Sequence, residues 1–178
     1  MKLLVASDLH GSAFYTEKLI ERIHAENPAR VVLLGDLLYH GPRNDLPEGY
    51  APKKVISLLS SLIPAPLCVR GNCEAEVDQM VLPFPVLSDY AVLFWEGKTI
   101  YCTHGHKAPP PLEAGDILLC GHTHVPKAEM RENYLYLNCG SVSLPKEDTP
   151  HSYIILENGR AVWKDLDGCI FMDMECAP

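Results

Sequence analysis

The segment LLCGHTHVP, residues 118–126, sets an apolar run against a glycine and two histidines one residue apart. A short apolar run with such boundaries reads as a buried strand. His122 and His124 at its end are then either polar strand-end residues or half of a metal site. The same pattern recurs upstream: KLLVAS breaks at Asp8, with His10 two residues on, RVVLLG at Asp36, PLCVRG at Asn72 and TIYCT at His104. In α/β sheets ligands bind outside the carboxyl ends of the strands. Seven potential metal donors, Asp8, His10, Asp36, Asn72, His104, His122 and His124, therefore share one topological edge. Taken singly each has an ordinary explanation, because an Asp after a strand is commonly a turn former or helix cap. His104 and His106 read equally well as surface loop residues, and Asn72 beside Gly71 as a turn. The conjunction is harder to dismiss, since Gly or Ser precedes Asp8, Asp36, Asn72 and His122, and small residues let backbone approach a buried ion closely.

The segments between these breaks predict the fold. SAFYTEKLIERIHAEN has helical spacing of Leu19, Ile20 and Ile23 behind a candidate Ser12 cap, KKVISLLSSLI repeats that spacing, and EAEVDQM is short but helix-like. From Pro83 onward the pattern changes to strand pairs: YAVLFW and TIYCTHGH about a turn at EGK, then DILLCG, YLYLNCG, SYIILE and AVWKDL, the last pair turned at Asn158-Gly159. The expected class is α/β, with two β-sheets packed as a sandwich and flanked by helices, in one domain over residues 1–178. Strand order stays open. The loops 39–52 and 107–115 are the expected walls of a cleft.

With 15 Lys and Arg against 23 Asp and Glu, the formal charge is -8 and no basic run exists to neutralise a row of phosphates. A long nucleic-acid partner is excluded on that ground. No apolar run approaches the roughly eighteen residues of a membrane span, and the N-terminal run is too short for a signal-peptide core. The chain reads as cytoplasmic, without membrane contact. The seven cysteines, at 68, 73, 102, 120, 139, 169 and 176, form no CxxC pair, and most read as buried free thiols. FPVLSDYAVLFWEGK offers either core strands or the edge of a homo-oligomer.

Carboxylate, amide oxygen and imidazole without thiolate suit Mn²⁺, Fe or Zn²⁺. Seven side chains are too many for one ion with an open position. They suit two divalent ions that share a carboxylate.

In this order the motifs SDLHG, LGDLL, RGNCE, THGH and CGHTH resemble the calcineurin-like metallophosphoesterases, over about two thirds of the chain. HGPRNDLPEGYAPKKV, VRGNCEAEVDQM and NCGSVSLPK extend the resemblance to nearly the whole chain, towards the small bacterial phosphodiesterases of the YfcE type. The resemblance implies that Asp8, His10, Asp36 and His124 hold one metal while Asp36, Asn72, His104 and His122 hold the other. Mn²⁺ is the favoured ion, with Zn²⁺, Fe²⁺, Co²⁺ or Ni²⁺ as the others to consider. It implies hydrolysis of small phosphodiesters by a hydroxide held between two ions. His106 is not carried over as a ligand, and Asn138 in NCGSVS is expected to support the site from behind.

Cys73 departs from the broad family, where histidine usually follows this asparagine to protonate the leaving oxygen or stabilise its charge. A thiol is a poorer, uncharged acid, which predicts a preference for acidic leaving groups. The other reading of Cys73 is a small buried filler. In YHGPRN, Arg43 is a candidate for bidentate contact with phosphate, with His40 and Asn44 beside it; the alternatives are a solvated loop, or Arg43 paired with Asp45 or Glu48. Two other functions remain in view. One is a metal-binding protein-interaction scaffold of the same fold, as in the family's retromer subunit, and the other a nucleotide pyrophosphatase or phosphomonoesterase on the same metals.

Overall fold

The computed structural model describes residues 1–176. The first half runs β1 (Leu3–Ala6), α1 (Ala13–Glu26), β2 (Arg30–Leu33), α2 (Pro52–Ser60), β3 (Leu67–Cys68), α3 (Glu76–Val81). The second half is all strand: β4 (Tyr90–Trp95), β5 (Lys98–Thr103), β6 (Ile117–Cys120), β7 (Pro126–Arg131), β8 (Tyr134–Cys139), β9 (Ser152–Glu157), β10 (Arg160–Asp165) and β11 (Ile170–Glu175). One sheet has the order β11-β10-β9-β1-β2-β3 and the other β4-β5-β6-β8-β7. The neighbours β1, β2 and β3 are parallel, as are β5, β6 and β8. Each sheet thus aligns the carboxyl ends of three strands.

Alternation along β1 shows how the layers form. Leu3 and Val5 enter the core between the sheets, with Val32, Ile100, Leu119, Leu137, Ile154 and Trp163. Leu4 and Ala6 face the other way, onto Leu19 and Ile23 of α1 and Val55 and Leu59 of α2. A strand buried on both faces reads as a continuous apolar run, which is why KLLVAS shows no polar alternation. The two tryptophans sit in the inter-sheet core with their polar edges satisfied: Trp163 Nε1 donates to the Asn138 carbonyl and Trp95 Nε1 to that of Met1, both at 2.7 Å.

Local signals behave as expected at α1, where the Ser12 hydroxyl accepts the Tyr15 N–H at 3.2 Å, and Asn27 closes the helix in left-handed conformation. Of the three two-residue hairpins, the one between β7 and β8 has left-handed Glu132 in its turn, and the other two turn through a pair of left-handed residues, Glu96-Gly97 and Asn158-Gly159, the twist that suits paired strands. Lys98 therefore belongs to β5 rather than to the turn.

Two strands lie outside the expected set. β7 is an edge strand carrying Lys127, Glu129 and Arg131, and β11 an edge strand carrying Asp173 and Glu175. β7 lacks the apolar density of a buried strand, whereas β11 has four apolar residues in six and packs Met172 and Met174 on the inter-sheet core; charge on an edge keeps a strand from pairing further. The apolar segment before residue 98 splits between the two readings: Phe84, Val86 and Trp95 are buried, whereas Tyr90, Val92 and Phe94 lie exposed on edge strand β4. No helix among the described residues is long and apolar enough to cross a membrane. Cys68, Cys102, Cys120, Cys139 and Cys176 are buried free thiols, Cys73 is half-buried and Cys169 exposed.

Candidate metal centre

Both sheets deliver their parallel strands' carboxyl ends to one rim. Asp8 and His10 follow β1, Asp36 follows β2, Asn72 follows β3, His104 follows β5, and His122 and His124 follow β6. All seven are brought together. His124 Nε2 lies 3.2 Å from Asp8 Oδ1 and 3.2 Å from His10 Nε2. His104 Nε2 lies 3.2 Å from Asn72 Oδ1 and 3.2 Å from His122 Nδ1. Between these two groups stands Asp36, whose Oδ2 is 3.7 Å from His10 Nε2 and 3.5 Å from His104 Nε2.

Backbone carbonyls orient three of the imidazoles. The Nδ1 atoms of His10, His104 and His124 face the carbonyls of Tyr39, Leu34 and Leu144 at 2.9, 2.7 and 2.5 Å. A ring nitrogen that donates to a carbonyl leaves the other as a lone pair. The Nε2 lone pairs of His10 and His124 then face each other, and that of His104 faces His122 Nδ1. Such pairs repel unless a proton or a metal ion lies between. Asp8 Oδ1, wholly buried, has no hydrogen-bond partner. The buried carboxylates and imidazoles also shift one another's titration. Burial alone would push Asp8 up, but His10, His124 and His104 hold it well below the usual carboxylate range. Burial alone would pull His104 down, yet Asp36 and Asp8 push it up to about 9. Oxygen and imidazole donors around two facing groups fit divalent ions.

Five of the seven donor residues, Asp8, His10, Asp36, His122 and His124, have φ between 47° and 67°. Non-glycine residues rarely adopt this left-handed region, at a cost of about 1–2 kcal/mol each, and such strain gathers at functional sites. The preceding small residues explain how the loops tolerate it. A Cβ on Gly71 would strike Asp36 and Glu74, and one on Gly121 would strike Ser7 and Asp8. The β2 and β3 loops are therefore in backbone contact behind the donors, and the β6 loop lies close against the Ser7 and Asp8 side chains.

Other residues hold the rim. Ser141 and Ser143 hydroxyls both donate to the Asp8 carbonyl at 2.9 Å. Asn138 Nδ2 donates to the Gly121 carbonyl at 2.7 Å and to Thr123 Oγ1 at 3.1 Å. The segment NCGSVS thus buttresses both the first and the last ligand loops. Glu74, which the sequence shows only as the end of RGNCE, is buried and accepts the N–H groups of Asp36, Leu37 and Gly71 at 2.9, 2.7 and 2.5 Å. Burial, with the Asp36 charge, pushes its carboxyl up to about 7.

Cys73 Sγ joins His10 and Asp36 in one potential ligand group, while its N–H donates to Asp36 Oδ1 at 2.9 Å. Burial, then Asp36, pushes the thiol well above its ordinary value. Arg43 lines the cleft over the donors, a hollow of about 320 Å³ shared with Asn44, Asn72, His122, Thr123 and Lys146. Glu48, one of its expected partners, accepts from the Tyr15 hydroxyl instead. His40 is not brought to the cleft; its ring packs edge-on against Tyr39 and Tyr50. His106 stands beside His104 and His122 at ring-centroid distances of 5.4 and 6.1 Å. The expectation for loop 107–115 needs correction: Lys107 and Pro109 border a separate hollow with Arg131, Tyr134 and Tyr136. The wall opposite Arg43 comes from Thr123 and Lys146, because the chain after β8 doubles back and pins Lys146 N–H to the His124 carbonyl at 3.2 Å.

A buried rim of carboxylate, amide and imidazole at the parallel ends of a double sheet defines a metal-binding sandwich. Residues 1–160 match the calcineurin-like phosphoesterase superfamily domain, and the chain belongs to that superfamily. It is 46% identical over 142 residues to phosphodiesterase YfcE of Escherichia coli strain K12, covering 78% of this chain and 77% of that one. The solved structure of YfcE, a phosphoesterase from E. coli, superposes with a TM-score of 0.95 at 42% identity, over 99% of this chain and 100% of that one. Zinc-complexed Vps29 of Entamoeba histolytica shares the fold, with a TM-score of 0.63 at 19% identity over 99% of this chain and 100% of that one.

Proposed function

We propose that this protein, working as a single domain, is a metal-dependent phosphodiesterase of the cytoplasm that hydrolyses small phosphodiesters. The observation that carries the reading is the convergence of seven donors, with the ring nitrogens of His10 and His124 and of His104 and His122 facing each other, beneath a cleft lined by Arg43 and Lys146. Asp8, His10, Asp36 and His124 would hold one ion and Asp36, Asn72, His104 and His122 the other, with Mn²⁺ the favoured choice among the ions that this donor set suits. When bound, the two ions supply positive charge toward the phosphoryl oxygens and a water ionised near neutral pH. Arg43 holds a phosphoryl oxygen by charge-assisted hydrogen bonds, which explains how an acidic protein takes an anionic substrate. The exposed face of β4, with Tyr90, Val92 and Phe94, is where a second copy would pack in a homo-oligomer.

The test compares bis(p-nitrophenyl) phosphate with p-nitrophenyl phosphate on chelated protein, before and after Mn²⁺ is restored. Turnover should vanish on chelation, return with Mn²⁺ and favour the diester. Folded, metal-loaded protein that turns over neither ester with Mn²⁺, Fe²⁺, Zn²⁺, Co²⁺ or Ni²⁺ would refute the reading and leave an interaction scaffold.

Cys73 borders the cleft on the side of Tyr39 and Ala75, where the leaving oxygen would depart. A thiol is a neutral and weaker acid than imidazolium. Cys73→His is therefore expected to raise turnover of alkyl esters about tenfold relative to nitrophenyl esters, at unchanged metal content. An unchanged ratio would return Cys73 to the role of a filler.

A further inference from the structure

The cleft has two lobes that meet over the donors. One, of about 320 Å³, is lined by His122, Thr123, His124 and Lys146. The other, of about 480 Å³, is lined by Tyr39, Gly41, Pro42, Cys73 and Ala75. Arg43, Asn44 and Asn72 belong to both. A phosphodiester has two arms, and a bilobed cleft with an arginine at its waist offers a place for each.

The lobes differ in chemistry. The Tyr39 side offers an aromatic ring and a proline with no ammonium group, whereas the other side ends in a lysine. Lys146 makes no ion pair among the described residues, although most other lysines of the chain find a carboxylate. Its position is nonetheless fixed at the backbone. Its N–H is tied to the His124 carbonyl, and its own carbonyl accepts the Thr149 N–H at 3.1 Å and the Thr149 hydroxyl at 2.7 Å. The next two residues, Glu147 and Asp148, are both left-handed. A turn held in this way fixes the stem of Lys146 at the edge of the cleft of a protein whose net charge is -8. Lys53 and Lys98 also lack a carboxylate partner among the described residues, but Lys146 is the lysine that lines the cleft over the donors.

We propose that Lys146 forms a subsite for a second phosphate, so that the preferred substrate is a phosphodiester whose retained arm carries a phosphate group. This rests on the phosphodiesterase reading above. The leaving arm lies in the Tyr39 lobe, next to Cys73. Hydrolysis consumes one water: its oxygen bonds to phosphorus, the bond from phosphorus to the leaving arm's oxygen breaks, and that oxygen gains a proton. The product left against Lys146 is a phosphomonoester that bears the second phosphate.

The test uses two nitrophenyl diesters with the same leaving group, p-nitrophenyl ethyl phosphate and p-nitrophenyl 2-phosphoethyl phosphate, on the Mn²⁺-loaded protein and its Lys146→Met and Lys146→Arg variants. In the parent protein kcat/KM for the phosphate-bearing ester should exceed that for the ethyl ester roughly tenfold, the scale of one charge-assisted hydrogen bond. That ratio should fall to about one or below in Lys146→Met, recover in Lys146→Arg, and shrink with added salt. A parent ratio near one, or a ratio that survives Lys146→Met, would overturn the subsite while turnover of the ethyl ester left the phosphodiesterase reading intact. Release of nitrophenolate from neither ester would sink both.

Discussion

Asp36→Asn is expected to lower metal-dependent diester turnover at least about 10³-fold while the protein stays folded. The carboxylate stands nearly midway between the two donor groups, with Oδ2 3.7 Å from His10 Nε2 and 3.5 Å from His104 Nε2. An asparagine oriented to keep the Cys73 N–H bond to Oδ1, now 2.9 Å, must aim its NH₂ at the place where Oδ2 now stands. An amide nitrogen is no metal ligand, and it removes one of the two negative charges that balance the ions. Losing an outer partner of a ligand costs about 10–100-fold in metal affinity or activity; losing the bridging ligand should cost more. A second readout separates a dead site from a damaged fold. A ligand bound only by the folded state stabilises it by about 2.7 kcal/mol at one hundred times its Kd. Mn²⁺ should accordingly raise the melting temperature of the parent protein and move that of Asp36→Asn little. A variant that binds two ions per chain and turns over within tenfold of the parent would remove Asp36 from the bridging role.

Much of this site was legible because chemistry and topology repeat together. A donor stood at each strand break, and the resemblance assigned the donors to two groups; in the structure His10 and His124 lie against Asp8, and His104 lies against Asn72 and His122. The α/β sandwich was legible for the same reason, since β1, β2, β6 and β9 are buried apolar runs. What stayed hidden depended on contacts between distant segments. β7 escaped because an edge strand can carry the charges of a loop, and β11 although four of its six residues are apolar. Loop 107–115 looked like a cleft wall from its prolines, yet the wall is Thr123 with Lys146, brought there by a turn that no local pattern marks. Left-handed conformation at five donors was invisible too, although the small residues beside them were its trace. His40 and Arg43 are near in sequence but diverge in space, because the His40 ring finds Tyr39 and Tyr50 while Arg43 reaches the cleft.

Glu74→Ala should destabilise the protein by about 3 kcal/mol or more, because it strips acceptors from three N–H groups at once. Those of Asp36, Leu37 and Gly71 all end on this carboxylate, and each buried donor left unpaired costs about 1–3 kcal/mol. For a chain of this length the loss corresponds to a fall of roughly 6–12 °C in melting temperature. The same bonds give Glu74 a bearing on the metal centre. Asp36 is left-handed, with φ of 54°, and its amide is anchored by Glu74 Oε2, which also holds the Gly71 amide in the neighbouring loop. Releasing that clamp lets the Asp36 and Asn72 loops part, so Mn²⁺ affinity should fall about 10–100-fold, as for other residues that orient a ligand from behind. Glu74→Gln gives the discriminating comparison. Its single oxygen can keep the two bonds now made by Oε2, while its NH₂ meets the Leu37 N–H. Stability should lie between the parent and Glu74→Ala, and most of the Mn²⁺ affinity should return, because the amides nearest the ligands are still held. If Glu74→Gln lost Mn²⁺ affinity as fully as Glu74→Ala despite its greater stability, the clamp on Asp36 and Gly71 would not be what positions the metal ligands.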